Sequence, residues 1–442
     1  MGIASGSLFA LLFRIGSMVL WGVMGVLTAR TLSVDDKGVY SSAIVLSSAI
    51  GGISSFAAAT GYFVSNQKRA PGEVAANALT MAFPLALVVV GAGLAISPLV
   101  GGTDGRIVEL AALSMGPAIL RNTMLGVILG TNRIIHYNVA VYVPILLAFS
   151  ALLLWVGVLG HRSAESALMA WCVAQYLSLI PFLPWGREWW AWLLHHRPDS
   201  RLMVSMVRFS FVASLGGAVG ILTYRVDQLL VISLDSKNAA GVYSSAVAVA
   251  EGLWLFSSSI SLASFARVGR GSRREAAQVT ATGVRHTLMV VVIGAIAGAF
   301  LGPPLVELLF GHPYRGATEP LRILCIGTAF FAPQGLMYNY FVNQLGRPVL
   351  PLAISLLTLS LSLVGGFLLI PPFGIAGAAW ATTFSYSVTA VVCVSLFCWL
   401  AETPFSELWR IRFDDVASYW DLARDVVSGR VFRRHRAESD VV

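Results

Sequence analysis

The hydrophobic side chains of this chain are gathered into twelve long apolar stretches, and most charged side chains lie between them. The stretches run near 7–29, 39–62, 74–100, 107–130, 138–160, 164–185, 209–233, 240–265, 285–310, 320–344, 348–370 and 374–400. A helix needs about 20 apolar residues to cross a bilayer. Only 12% of the residues are charged, whereas a soluble domain has about 25%. The pattern therefore predicts an all-α integral membrane protein with about 12 transmembrane helices.

The positive charges indicate how these spans are oriented, because cytoplasmic loops collect Lys and Arg. If the N-terminus is cytoplasmic, 20 of the 30 Lys and Arg residues fall on the cytoplasmic side, 7 on the outside and 3 within spans. We therefore expect both the N- and C-termini in the cytoplasm. The net charge of +8 does not point to nucleic acid as a partner, because the charges form short clusters between apolar runs.

A repeated hexapeptide divides the chain into two similar halves. The letters GVYSSA occupy positions 38–43 and again 241–246, which is 203 residues later. Each copy follows a short polar stretch and begins an apolar run. Six spans in each half would give both halves the same orientation in the membrane, as in transporters with parallel repeats. We predict two pseudo-symmetric six-helix bundles, 1–200 with a connecting loop and 201–400, followed by a cytoplasmic amphipathic and basic tail over 401–442.

Three motifs resemble those of one known transporter family. They read YRVDQLL at 224–230, GVYSSA at 241–246 and PFGIAGAAWAT at 372–382. Together they are similar to hallmarks of the Wzx-type oligosaccharide flippases, the polysaccharide-transporter branch of the multidrug/oligosaccharidyl-lipid/polysaccharide (MOP) exporter superfamily. The resemblance covers nearly the whole of 1–400. One departure is that 260–265 lacks the proline that the family often has late in its eighth span, so no gating role is transferred to that helix.

The resemblance implies a flippase that moves a polyprenyl-diphosphate-linked oligosaccharide across the bacterial cytoplasmic (inner) membrane by alternating access. The cargo would serve a surface polysaccharide such as lipopolysaccharide O-antigen, capsule or exopolysaccharide. Besides the lipid-linked oligosaccharide and membrane lipids, the polysaccharide polymerase and chain-length machinery are the implied partners. No enzymatic activity is expected, because the outer loops are short. No cofactor or metal site is expected, and no phosphate-binding GxxxxGK[ST] loop is present to use ATP.

Two other functions remain open at this point. One is a cation-coupled exporter of small molecules or drugs from the same superfamily, which would need an apolar cavity with a carboxylate and few arginines. The other is a non-transporting scaffold subunit of the polysaccharide assembly machinery, whose bundles would pack without a cavity.

Three arginines within predicted spans are candidates to bind the cargo's diphosphate. A charged side chain at mid-bilayer costs about 2.5–3.5 kcal/mol on insertion scales, so it usually faces a cavity or a partner. Arg14 and Arg121 fall in the cytoplasmic halves of their spans, and Arg225 lies in the seventh span. Arginine keeps its charge and binds phosphate oxygens with two nitrogens. A cavity between the halves could hold the diphosphate, or Arg14 could instead reach the membrane interface.

Two carboxylates are candidates for coupling transport to an ion gradient. Glu251 is expected at the depth of Arg225 on the following helix, where the two would form a structural ion pair or Glu251 would bind H⁺ or Na⁺. Asp227 is two residues from Arg225, so the two side chains should point to different sides of a helix. The positions 203 residues earlier carry no charge: Arg225 corresponds to Gly22 and Glu251 to Ser48. The halves are therefore expected to share a scaffold and to differ in chemistry.

Overall fold

The computed structural model describes residues 3–182, 198–310 and 312–410, and no β-strand occurs in these ranges. The helices, numbered in chain order, are α1 (Ile3–Thr31), α2 (Val34–Ile53), α3 (Ala57–Ser65), α4 (Pro71–Val100), α5 (Gly102–Gly130), α6 (Ile134–Leu152), α7 (Ala164–Leu177), α8 (Ser200–Thr223), α9 (Val226–Leu234), α10 (Lys237–Glu251), α11 (Trp254–Arg270), α12 (Arg273–Phe310), α13 (Thr318–Phe331), α14 (Gln334–Asn339), α15 (Val349–Ala401) and α16 (Ser406–Trp409). The prediction of an all-α fold is confirmed.

The apolar lengths of these helices fit a protein that crosses a membrane many times. Eight segments of the described residues are long and apolar enough to span a bilayer, or nine if α10 and α11, which are bent by 41°, count as one broken span. Leu12–Gly25 of α1 is a further, shorter apolar segment, and α7 has 14 residues. A multi-pass membrane protein is thus confirmed. The count of twelve spans and the cytoplasmic position of the termini stay predictions.

The longest helix, α15, contains two predicted spans because it folds back on itself. It has 53 residues. The first arm stays helical through Pro371 and Pro372, and the chain then reverses direction at Gly374, where φ is 55° and ψ is −136°. Glycine adopts such a positive φ without steric cost. The side-chain oxygens of Ser362 and Ser385 lie 2.8 Å apart, which shows that the two arms run antiparallel.

Residues 12–218 form one of the two compact units into which the chain divides. The break between α2 and α3 is stabilised by hydrogen bonds to α5. The backbone N–H of Phe56 donates to Oγ1 of Thr123 at 3.2 Å, and the Thr60 hydroxyl donates to the Thr123 carbonyl at 3.0 Å. Side-chain hydroxyls commonly satisfy the backbone groups that a helix break frees inside a membrane. Thr123 therefore has a structural role in holding this broken helix.

The second unit comprises residues 1–11 and 219–442 by the same division, and its buried core includes the small residues of the PFGIAGAAWAT motif. Ala378 and Ala379 are fully buried, whereas Trp380 of the same motif is half exposed. Small residues let helices approach closely in lipid, where apolar burial supplies little driving force. The motif thus acts first as a packing surface.

Parts of the predicted organisation fall outside the described residues. The loop expected to connect the bundles lies largely within 183–197, and most of the predicted tail lies beyond Arg410. The domain boundaries drawn at 200 and 400 stay predictions.

Candidate functional site

Three two-residue breaks interrupt predicted spans among the described residues of the 219–442 unit, and a charged side chain lies in one of them and directly before another. Arg225 occupies the break between α8 and α9, and Glu251 is the last residue of α10 before the break at 252–253. Nη1 of Arg225 lies 3.3 Å from Oε1 of Glu251, with 53% and 24% of the two side chains exposed. Pairing lowers the cost of a charge inside a membrane. The structure therefore brings these two predicted residues together as an ion pair.

An aromatic cluster surrounds the same breaks. It consists of Tyr224, Trp254, Phe331 and Tyr386. The ring centroids of Tyr224 and Trp254 lie 4.9 Å apart, and Phe331 stacks on Tyr386 at 4.2 Å. Phe331 is the last residue before the third break, between α13 and α14. The indole Nε1 of Trp254 is buried and finds no hydrogen-bond acceptor among the described residues. Sequence analysis missed this cluster, because its members come from three separate helices and from the break between α8 and α9.

Asp227 forms a hydrogen-bonded node that joins all three family motifs. Its carboxyl is buried and its Oδ2 accepts hydrogen bonds from the Tyr243 hydroxyl at 2.8 Å and from the Thr382 hydroxyl at 3.2 Å. Its Oδ1 accepts from the backbone N–H of Gln228 at 2.8 Å. Tyr243 belongs to the repeated hexapeptide, and Thr382 ends the PFGIAGAAWAT motif. We call Asp227, Tyr243 and Thr382 the carboxyl node, and it ties α9, α10 and the second arm of α15 together.

The other unit has the same tyrosine without the carboxyl. Residues 203 positions before Asp227 and Tyr243 are Met24 and Tyr40. Both are buried, with 2% and 5% of their surfaces exposed, and both belong to one apolar cluster. The two halves thus share a buried tyrosine in the repeat, whereas only the second half places an acid beside it.

Arg121 lies in the 12–218 unit and faces the end of α7. Its Nη1 donates hydrogen bonds to Oε1 of Gln175 at 2.5 Å and to the Ser178 hydroxyl at 3.3 Å. The side chain is half-buried. Its neighbour Asn122 instead donates to the Gly51 carbonyl at the end of α2, at 3.4 Å. The neighbouring polar side chains of Arg121 and Asn122 therefore contact two different helices, α7 and α2.

Arg14 also lies in this unit, on the face of α1 that meets α6. Phe13 contacts Tyr142 edge to face, with ring centroids 5.8 Å apart, and Arg14 interacts electrostatically with Tyr137. Arg14 is half-buried and makes no ion pair with a carboxylate of the described residues. The three candidate arginines therefore differ, since Arg225 alone has an acidic partner in the part of the chain that the structure describes.

Comparisons with known proteins identify relatives of this chain. The family described as "Lipid II flippase MurJ" matches residues 85–419, which is most of the chain. The capsular polysaccharide biosynthesis protein CapF of Staphylococcus aureus is 26% identical over 202 residues, covering 45% of this chain and 51% of CapF. The probable low-salt glycan biosynthesis flippase Agl15 of Haloferax volcanii is 25% identical over 199 residues, covering 44% and 41%. The chain thus spans about half the length of these curated relatives.

The fold also matches solved structures over nearly its whole length. An outward-facing multidrug resistance MATE family transporter of the MOP superfamily has a TM-score of 0.75 with 14% sequence identity, and the match covers 92% of this chain and 96% of that chain. At such low identity the likeness establishes the fold alone.

Proposed function

We infer, because this chain belongs to the family of the lipid II flippase MurJ, that its cargo is a polyprenyl-diphosphate-linked saccharide. The matched family is described as a lipid II flippase, Agl15 as a probable glycan biosynthesis flippase, and the similar solved structure as a multidrug resistance transporter. The resemblance to flippases of the MOP superfamily and the expectation of a transporter without enzymatic activity are therefore confirmed. The identity of the cargo is the step that we propose.

The names of the relatives support a saccharide cargo. One is a capsular polysaccharide biosynthesis protein and another a glycan biosynthesis flippase. We propose that this chain moves a lipid-linked oligosaccharide for a surface polysaccharide across the bacterial cytoplasmic membrane, by alternating access. A polysaccharide polymerase and its chain-length machinery would then take the cargo on the outer side.

The observation that best supports a diphosphate cargo is that the partners of Arg121 are uncharged and engage only one of its three guanidinium nitrogens. Both of its hydrogen bonds to described residues use Nη1, so Nε and Nη2 remain for an anionic ligand. Gln175 and Ser178 are uncharged and fix the guanidinium without neutralising it. A diphosphate is the part of the cargo least able to enter hydrocarbon, and an unneutralised arginine would compensate its charge. We propose that Arg121 and Arg14, which lie in the same unit, bind it. A role of Arg225 in binding a diphosphate stays a prediction.

An intermediate that accumulates in cells tests this function directly. Deletion of the encoding gene should trap lipid-linked oligosaccharide on the cytoplasmic face, because the cargo cannot cross unaided. Access of a membrane-impermeant glycosidase, or of a lectin added to inverted and right-side-out vesicles, would report which leaflet holds it. Normal pools of lipid-linked saccharide together with sensitivity to drugs would favour the small-molecule exporter instead. Normal pools with unchanged drug sensitivity would favour a scaffold subunit.

We further propose that H⁺ or Na⁺ binds at Glu251 or Asp227 and that its movement down the ion gradient supplies the energy for transport. Moving one charge across 100 mV provides about 2.3 kcal/mol. Breaks in membrane helices expose carbonyl groups that coordinate such ions in other transporters. Glu251 adjoins a break, and Asp227 lies two residues after one.

Glu251 and Arg225 can be separated by substitution. Glu251→Gln should slow transport at least tenfold and remove its dependence on the ion gradient if Glu251 carries the ion, because glutamine has no titratable group. The measurement is cargo flux in proteoliposomes with an imposed H⁺ or Na⁺ gradient. The double variant Arg225→Ala, Glu251→Ala is the control for a purely structural pair. Wild-type flux in that double variant would contradict coupling through Glu251.

A further inference from the structure

A polar cavity of about 760 Å³ lies at the end of the 219–442 unit where α12 begins and α15 ends. Its lining includes the guanidinium groups of Arg273, Arg274 and Arg285 and the carboxylates of Glu402 and Glu407. Three positive and two negative charges leave an excess of one positive charge. The predicted orientation of the chain puts this end on the cytoplasmic side of the membrane.

Two of the three arginines of this cavity are held in place by hydrogen bonds. The Arg285 side chain is only 4% exposed, and its guanidinium donates to the Glu407 carbonyl at 2.7 Å and to the Thr282 hydroxyl at 3.1 Å. Arg273 donates to the Leu400 carbonyl. Arg274 is exposed and makes no hydrogen bond or ion pair with the described residues. The cavity therefore presents at least one guanidinium that the surrounding protein does not engage.

An apolar groove of about 390 Å³ lies beside the polar cavity. Both are lined by α12, α15 and the segment 403–410, and the groove is lined by α13 and α14 as well. Glu407 of α16 lines the cavity, while its neighbours Leu408 and Trp409 line the groove. In the same way Arg285 of α12 lines the cavity and Leu288, one turn later, lines the groove. A charged surface and a hydrocarbon surface thus meet along one edge.

We propose that this cavity and groove together bind one anionic phospholipid, with its phosphate on the arginines and an acyl chain along the groove. Basic pockets at the cytoplasmic ends of membrane helices attract anionic headgroups, and arginine matches the geometry of phosphate oxygens. Phe405 and Trp409 beside the groove are 61% and 64% exposed. Aromatic side chains at this level are typical of the membrane interface.

The charge of the cavity favours a lipid over the remaining C-terminal segment of this chain. Residues 411–442 contain six arginines and six acidic residues, so they bring no net negative charge to a positive cavity. An anionic phospholipid brings both the negative headgroup and the hydrocarbon chain that the two surfaces require.

The proposal can be tested with the purified full-length protein in detergent and phosphatidylglycerol brominated on its acyl chain, which quenches nearby tryptophan fluorescence. We expect saturable quenching that is much weaker with brominated phosphatidylcholine and that is lost in Trp409→Phe. The double variant Arg273→Gln, Arg274→Gln should bind phosphatidylglycerol about 30-fold more weakly. Arg69→Gln is the matched control, because Arg69 is exposed, paired with Glu73 and lies in the other unit, and it should bind like wild type.

Four results would overturn the lipid assignment. Equal affinity for the anionic and neutral lipids, or unchanged affinity in the double variant, would remove the role of the arginines. Inorganic phosphate that competes as strongly as phosphatidylglycerol would identify a site for free phosphate. A truncation after Arg410 that by itself raises lipid binding severalfold would show that the tail occupies the groove.

Discussion

Replacing Arg121 with alanine is expected to reduce transport of lipid-linked saccharide at least about 30-fold while the protein still inserts into the membrane. In the proposed complex, Arg121 and the diphosphate form a hydrogen-bonded charge pair away from water. Truncating one partner of such a pair costs about 2–5 kcal/mol, and about 1.4 kcal/mol corresponds to a factor of ten. The loss is large because the diphosphate has few ways to compensate its charge inside hydrocarbon. Arg14→Ala should give a loss of the same kind.

The measurement is surface polysaccharide in a complemented deletion strain, together with cargo flux in proteoliposomes. Arg106→Ala provides a matched control on the same helix. Arg106 is exposed near the start of α5 and pairs with Glu109 and Glu165, so its removal should leave transport within about twofold. Folding of each variant can be checked by its thermal transition in detergent.

A second substitution separates a role in binding from a role in packing. Arg121→Gln retains a donor for Gln175 and Ser178 but removes the positive charge. If Arg121 binds the diphosphate, this variant should be as stable as wild type and still inactive. Full transport by Arg121→Gln would contradict the diphosphate assignment and leave Arg121 as a structural residue of the α5–α7 contact.

Much of the fold could be predicted from the sequence, because a bilayer leaves a chain few alternatives. A long apolar stretch must satisfy its backbone internally, and a helix is the simplest way to do so. The breaks within the helices could not be predicted in the same way. The α2–α3 break depends on hydrogen bonds to Thr123 of α5, a helix distant in sequence. At the α10–α11 break the sequence shows only Gly252, which cannot be told from any other glycine in an apolar run.

The charged residues of the candidate site were predicted from the sequence, but of their contacts only the ion pair of Arg225 and Glu251 was considered. Arg225 and Glu251 were recognised as charges at similar depth, and the structure pairs them. Asp227 was predicted as a candidate carboxylate for ion coupling, and the structure shows that it also bonds to Thr382, which is 155 residues away. No spacing in the sequence relates these two positions. The aromatic cluster was missed for the same reason, because no spacing in the sequence relates its four members.

The carboxyl node shows how the two copies of the repeated hexapeptide differ in their surroundings. Tyr40 and Tyr243 occupy equivalent positions in the two copies, and both are buried. In the first half the neighbouring position carries Met24, so the packing is apolar. In the second half it carries Asp227, so the same scaffold holds a buried acid. The two copies of the repeat thus share the tyrosine, while the residue 16 positions before it differs between the units.

Loss of the carboxyl node should destabilise the 219–442 unit strongly. Asp227→Ala removes the acceptor of the Tyr243 and Thr382 hydroxyls, and each buried polar group left unpaired costs about 1–3 kcal/mol. We expect a total loss of about 3 kcal/mol or more, which lowers the melting temperature by about 6 °C or more. Asp227→Asn keeps an oxygen that can accept a hydrogen bond and should be affected less.

The repeat itself supplies the matched control for this effect. Tyr243→Phe removes the hydroxyl that bonds to Asp227 and leaves the carboxyl partly unpaired, whereas Tyr40→Phe removes the equivalent hydroxyl beside Met24. We expect the first to lower the melting temperature by several degrees and the second to change it little, because only the first breaks a buried hydrogen bond to a carboxyl. The double variant Asp227→Ala, Tyr243→Phe should lose less than the sum of the two single changes, since both remove the same bond. Strict additivity, or equal effects of the two tyrosine substitutions, would show that the node does not hold these helices together.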